Sequence, residues 1–217
     1  MNRAQTVDAI LRQAPVLPVL QIADLELAIP LAETLVAAGL PVLEVTLRTE
    51  VALAAISAIR RAVPGAIVGA GTILRPEQLQ EVAAAGAHFA ISPGASSGLY
   101  QAETSIPWIP AVASASEIMQ GMAFGHQRYK FFPATAAGGT AALKAFAGPF
   151  PNVKFCPTGG IDASSAAGFL SLSNVLTVGG SWMVPNALLA KRDWSAIAEL
   201  AKAAVTMATS AKTSARD

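Results

Sequence analysis

A chain of 217 residues with a formal charge of +1 has room for one large α/β domain and falls short of two. Apolar residues make up 53% and charged residues 13%, which suits strands buried on both faces beneath alanine-rich helices and points to a buried oligomer interface. No apolar run approaches the ~18 residues of a membrane span, no basic tract suggests nucleic acid or an anionic membrane surface, and the single cysteine, Cys156, excludes an internal disulfide.

The opening residues, Met1 to Thr6, lack the charged-then-apolar layout of a secretory leader, so the expected location is the cytoplasm. An amphipathic piece at 7–13 precedes a first strand at 16–21. Asp24 is placed to cap a helix that ends at Gly39, with Pro30 inside it as a kink or as the mark of a later start. A strand at 41–47 follows, then a helix capped by Thr49 and stopped by Pro64-Gly65, and a strand at 66–69. Pro76 opens the next helix and Gly86 closes it. Further strands are expected at 88–92, at 106–112 with interruptions at Pro107 and Pro110, and at 128–132, 153–156 and 174–178. Helices are expected at 99–103, after the capping box Ser114 to Glu117, at 139–147, at 163–170 and from Asn186 onward, with a frayed polar tail after Ser210.

Eight short apolar strands alternating with helices give the rhythm of a single (β/α)8 TIM barrel domain over residues 1–217, with an extra N-terminal helix ahead of the first strand. The competing doubly wound sheet would need its dinucleotide fingerprint at Gly69-Ala-Gly71. The third glycine and the downstream acid are missing, so this stretch reads as a tight βα turn.

In a barrel the carboxyl ends of all strands converge on one face, and the unusual residues fall there. Lys130 stands alone among Tyr129, Phe131 and Phe132, and Pro133 ends its strand. Either it snorkels to solvent, or an apolar setting keeps its amine neutral and able to form a Schiff base. Glu44 alternates with Leu43 and Val45 and so points away from them into the barrel mouth, as an ion-pair partner of Arg48 or Lys130 or as a proton-transfer group. Arg48 can grip a carboxylate or phosphate with its fork. Glycine-rich turns after the seventh and eighth strands, Thr158-Gly159-Gly160 and Gly179-Gly180-Ser181, can present backbone N–H groups to a phosphate. His88 and His126 have no zinc-ligand spacing and read as a strand-start residue and a loop residue. Cys156, in an apolar run, reads as a buried inert thiol.

The strings Leu43 to Thr49, Gly69 to Thr72, Ala90 to Gly94, Lys130 to Ala134, Phe155 to Ile161 and Val178 to Trp182, in this order over nearly the whole chain, resemble the bacterial class I aldolases that cleave 2-keto-3-deoxy-6-phosphogluconate (KDPG). The resemblance implies a (β/α)8 barrel, usually a homotrimer, acting without metal or cofactor on a phosphorylated keto acid. It implies Lys130 as the Schiff-base lysine and Glu44 as the proton-transfer residue. Arg48, Thr72, Pro93 and Thr158 match positions around the pyruvate portion, and Gly159, Gly160, Gly180 and Ser181 match the phosphate site. Many members also cleave 4-hydroxy-2-oxoglutarate (KHG). Pro110-Ala111 and Ala136 to Gly138 depart from the family pattern in ways expected to loosen the pocket without touching the chemistry. Ser181 favours the gluco over the galacto epimer. Two rival classes share these features: a phosphosugar isomerase or synthase in which Lys130 acts only electrostatically, and a barrel that binds a phosphorylated metabolite without reacting.

Overall fold

The structure, a computed structural model, describes residues 2–214. It is an α/β fold built on a curled parallel sheet. Strands β1 (Leu17–Leu20), β2 (Val42–Thr46), β3 (Ile67–Gly71), β4 (Ala90–Ile91) and β5 (Trp108–Ile109) pair side by side, and β6 (Ala111–Val112), β7 (Arg128–Phe131) and β8 (Lys154–Pro157) form a second group. A last strand, β9 (Gly179–Gly180), returns to β1 through Leu17↔Gly179 and Pro18↔Gly180. The two groups meet at two seams. Pro110 divides β5 from β6, yet the neighbouring Ile109 carbonyl accepts from Ser92 N–H on one side and the Pro110 carbonyl from Lys130 N–H on the other. Bridges Phe155↔Val175 and Thr158↔Gly179 link β8 to the run entering β9.

Period-two alternation divides the core. On β2, Leu43 and Val45 face an outer cluster, which the sheet shares with helices α2 (Ala28–Ala37), α3 (Ala52–Ala62), α4 (Pro76–Ala84), α6 (Ala115–Ala123), α7 (Gly139–Ala147) and α8 (Ala166–Leu170). The opposite face carries a smaller cluster of Leu17, Val42, Phe89, Ile91, Ile109 and Cys156, into which helix α1 (Arg3–Leu11) inserts Val7 and Leu11. Asn2 and Gln5 form a capping box that starts α1. Asp8 on α1 holds Arg128 on β7 through two hydrogen bonds of 2.5 and 2.8 Å. Short helices α5 (Ser97–Gln101) and α9 (Asn186–Ala190) fill corners, and α10 (Trp194–Ser214) closes the outer layer against α2 and α8. Among the described residues no helix is long and apolar enough to cross a membrane.

Several local expectations are corrected. Asp24 caps a 3-10 turn at Leu25–Leu27 through Glu26 N–H, and α2 begins only at Ala28. Pro30 thus falls in the first turn, where its missing N–H costs nothing. Thr49 does not cap α3; its hydroxyl donates to the Ile22 carbonyl at 2.6 Å, bracing β2 against the loop after β1. β3 runs past the expected end at Gly69, so Gly71 belongs to the strand rather than to a turn, because the inner face there must admit side chains from neighbouring strands. The run expected as the eighth strand, 174–178, pairs with β8 only through the bridge at Val175, and the ladder proper falls just beyond it on Gly179–Gly180, drawn there by pairing with β1. Helix α10 runs past Ser210 to Ser214, since Ile197, Ala201, Ala204 and Ala208 keep a buried stripe at helical spacing. The rest of the expected tail, 215–217, lies outside the described residues.

His126 lies in the loop before β7, but it is buried, with its ring edge-on to Tyr100 and Trp108 and Nε2 2.9 Å from Arg3 Nη1. Burial, then the Arg3 guanidinium, lower its pKa from 6.5 to about 4. Between those values the unfolded chain binds a proton that the folded chain refuses, so stability falls as pH falls through this window. Thermal melts are therefore expected to decline on acidification, and less steeply in His126→Gln. Equal slopes for the two proteins would remove His126 as a source of acid lability.

Candidate active site

Lys130 and Glu44 come from strands that are not neighbours and meet across the inner face of the sheet. Nζ lies 3.0 Å from Glu44 Oε1, with the lysine 5% and the glutamate 0% exposed. The position of each side chain follows from local sequence. Tyr129 and Phe131 claim the outer cluster, which turns Lys130 inward, as Leu43 and Val45 do for Glu44. The Phe132 ring stands 5.4 Å from Nζ, a cation–π distance. Glu44 Oε2 is buried and finds no protein donor, so one oxygen of this carboxylate is held by lysine while the other stays available.

Room for the carboxylate depends on glycine. In β3, Gly71 sits so close that a Cβ there would lie 2.2 Å from Glu44 Oε1 and 2.8 Å from its Cγ. The register sets Gly69 beside Glu44 and Gly71 beside Thr46, leaving the inner face of β3 without side chains where Glu44 crosses it.

Above the pair opens a cavity of about 330 Å³. All ten residues singled out from the sequence line it: Lys130 and Glu44; Arg48, Thr72, Pro93 and Thr158; and Gly159, Gly160, Gly180 and Ser181. Thr72 has a left-handed backbone, φ 64°, a conformation that costs a residue with a side chain about 1–2 kcal/mol. The turn after β8 needs its glycines: φ is 103° at Gly159 and 73° at Gly160, and a Cβ on Gly160 would lie 2.8 Å from Thr135 Oγ1. Arg48 makes no ion pair among the described residues, so its charge is uncompensated at the cavity wall.

Four further lining residues escaped sequence reasoning: Val19, Thr46, Phe132 and Ile161. Period two would have found two of them, since Thr46 follows Glu44, and Phe132 follows Lys130, by two positions on the same face. The departures at Ala111 and at Ala136 to Gly138 do not line the cavity. Ala111 pairs with Lys130 in the strand register, and the other segment is the turn into α7. His88 and His126 also lie outside it; His88 Nδ1 is 3.2 Å from the Val68 carbonyl. Cys156 pairs with Lys130 in the ladder, but burial pushes its thiol up to about 12, leaving it unreactive at neutral pH. Among the described residues no three histidine, cysteine, aspartate or glutamate side chains gather where they could hold a metal ion.

A parallel α/β fold that brings a buried lysine and a carboxylate together at the floor of one cavity fits an aldolase of the imine-forming class. The comparisons agree. The family model described as "KDPG and KHG aldolase" matches residues 7–200. The KHG/KDPG aldolase of Escherichia coli K12 is 52% identical over 206 residues, 94% of this chain and 97% of that protein. The 2-dehydro-3-deoxy-phosphogluconate aldolase of Pseudoalteromonas atlantica is 54% identical over 195 residues, 89% and 91% of the two chains. Among solved structures, the KDPG aldolase of Legionella pneumophila, with pyruvate captured as a covalent carbinolamine, superposes with a TM-score of 0.89 at 50% identity, covering 90% of this chain and 96% of that one. The Zymomonas mobilis ATCC 29191 enzyme gives 0.87 at 48% identity, covering 91% and 95%. The chain belongs to the KDPG and KHG aldolase family.

Gly71→Ala is expected to leave the fold intact, displace Glu44 from Lys130 and lower turnover at least about tenfold, since small misplacement of a reacting group is costly. Steady-state kinetics beside a thermal melt check this; unchanged turnover would show that Glu44 has slack at this contact.

Proposed function

We propose that the chain cleaves 2-dehydro-3-deoxy-6-phosphogluconate to pyruvate and glyceraldehyde 3-phosphate through a Schiff base on Lys130, and that it also accepts 4-hydroxy-2-oxoglutarate. The observation that carries the reading is the buried Lys130–Glu44 pair, 3.0 Å apart, at the floor of a cavity whose wall holds the uncompensated Arg48. The rival isomerase and binding readings give no reason for a lysine to be kept from water beside a carboxylate with one free oxygen.

A proton moved along the Lys130–Glu44 hydrogen bond leaves a neutral amine beside a neutral acid. The amine adds to the C2 ketone, and the resulting carbinolamine loses water as Glu44 supplies the proton. The protonated imine is the electron sink, so the chemistry draws on no metal or cofactor. Glu44, now a carboxylate, takes the C4 hydroxyl proton through a water; the C3–C4 bond breaks, its electron pair moves into the imine to give an enamine, and glyceraldehyde 3-phosphate leaves. Protonation at C3 and hydrolysis of the imine release pyruvate and restore Lys130.

In this reading Arg48, Thr72, Pro93 and Thr158 surround the pyruvate portion, while Gly159, Gly160, Gly180 and Ser181 receive the phosphate. The chain is further read as one closed (β/α)8 barrel domain with an added N-terminal helix. The shared Pro110 strand and the Thr158↔Gly179 bridge support this. It is read as a homotrimer of the cytoplasm. Exposed apolar side chains at Met119, Met122 and Phe124, on and just after α6, support contact between copies, and a lone cysteine suits a reducing compartment.

Borohydride reduction in the presence of pyruvate is expected to fix a pyruvyl adduct on Lys130, found by peptide mass, and Lys130→Ala is expected to lose both adduct and turnover while still melting cooperatively. No adduct on the folded parent protein would overturn the Schiff-base reading. Glu44→Gln should slow turnover by about 100-fold or more yet retain some imine formation. Ser181→Asp, which puts charge at the phosphate end, should lower kcat/KM for the phosphorylated substrate at least about tenfold more than for 4-hydroxy-2-oxoglutarate; equal losses would remove Ser181 from the phosphate site.

A further inference from the structure

Thr46 stands two residues beyond Glu44 on β2, so both side chains share the inward face. It is buried, and its hydroxyl is fully engaged: Oγ1 donates to the Leu20 carbonyl on β1 at 2.9 Å. With its one proton directed there, the oxygen can offer only lone pairs to anything else. Arg48 takes them, its Nε donating to Thr46 Oγ1 at 3.2 Å.

The rest of the Arg48 side chain has a choice. It lies between two spaces, the cavity of the catalytic pair and a smaller one of about 150 Å³ lined also by Gln21 and Asn186, and it contributes to the walls of both. No carboxylate among the described residues pairs with it to settle which way its fork points. An arginine on a flexible stem loses rotamer freedom when it binds an anion, and a tether at Nε removes part of that freedom beforehand. Holding Nε fixes the guanidinium plane while leaving Nη1 and Nη2 for a bidentate contact.

We propose that Thr46 is a positioning residue for Arg48: its hydroxyl, oriented by the Leu20 carbonyl, sets the guanidinium so that the fork faces the catalytic cavity and the carboxylate of the keto acid rather than the adjoining space. The inference rests on the reading of Arg48 as the grip on that carboxylate. Neither group touches the bonds that break, so the effect belongs mainly to substrate binding.

Steady-state kinetics of Thr46→Val, Thr46→Ser, Arg48→Lys and the Thr46→Val/Arg48→Lys double variant test it. Thr46→Val is expected to raise KM about tenfold, the loss of one hydrogen bond to a charged group, while kcat changes less than roughly threefold. Thr46→Ser keeps the hydroxyl and should restore KM to within about threefold of the parent. In the double variant KM should rise no further than in Arg48→Lys alone, because the tether has nothing left to orient. If Thr46→Val fails to fold, Thr46→Ala, which leaves room for water at the Leu20 carbonyl, carries the same expectations. Multiplying KM effects in the double variant, or a KM unmoved by loss of the hydroxyl while Arg48→Lys does move it, overturns the positioning role. A KM unmoved by Arg48→Lys overturns the reading of Arg48 beneath it.

Discussion

Two opposite charges taken out of water and set 3.0 Å apart, on Lys130 and Glu44, pay a desolvation cost that their attraction only partly returns. Such a pair persists where the surrounding structure over-determines it. Here β7 is held on both edges, by Ala111 and Val112 on one side and by the four residues of β8 on the other. Glu44 is pinned between β1 and β3, at the level of Val19 and Gly69. Removing one member would leave the other buried and alone, at a cost of about 3–5 kcal/mol. The pair therefore makes the placement of β2 and β7 a condition of stability.

This constraint accounts for features that look unrelated. The glycines of β3 give Glu44 the space a side chain would deny it. Pro110, which cannot donate to a ladder, still accepts from the Lys130 backbone, so the break between β5 and β6 does not loosen β7. Below the pair, the inner-face cluster of Val42, Phe89, Ile109 and Cys156 is closed by Val7 and Leu11 from α1. Arg128, two residues before Lys130 on the same face, is fixed from that side by Asp8.

What was legible beforehand was mainly what a single strand can reveal. Lys130 stood out by its aromatic neighbours, Glu44 by alternation, and the paired glycine turns by their spacing; all ten chosen residues border one cavity. What escaped depended on partners distant in the chain. Nothing local to Thr49 says that its hydroxyl reaches Ile22, and nothing local to Gly179 says that β1 will draw it into a ladder. Pro30 was ambiguous because its meaning turns on whether the helix starts at residue 25 or 28, and a 3-10 turn intervenes. His126 is the expected loop residue, but its burial is not legible locally, because the rings of Tyr100 and Trp108 that cover it come from distant parts of the chain.

The clamp between Asp8 and Arg128 fastens α1 to the end of β7 away from the cavity. The inner-face cluster at the end sealed by α1 shares no residue with the lining of the cavity at the opposite end of the strands. Substitutions among the lining residues that aim at other aldehydes therefore leave that cluster untouched.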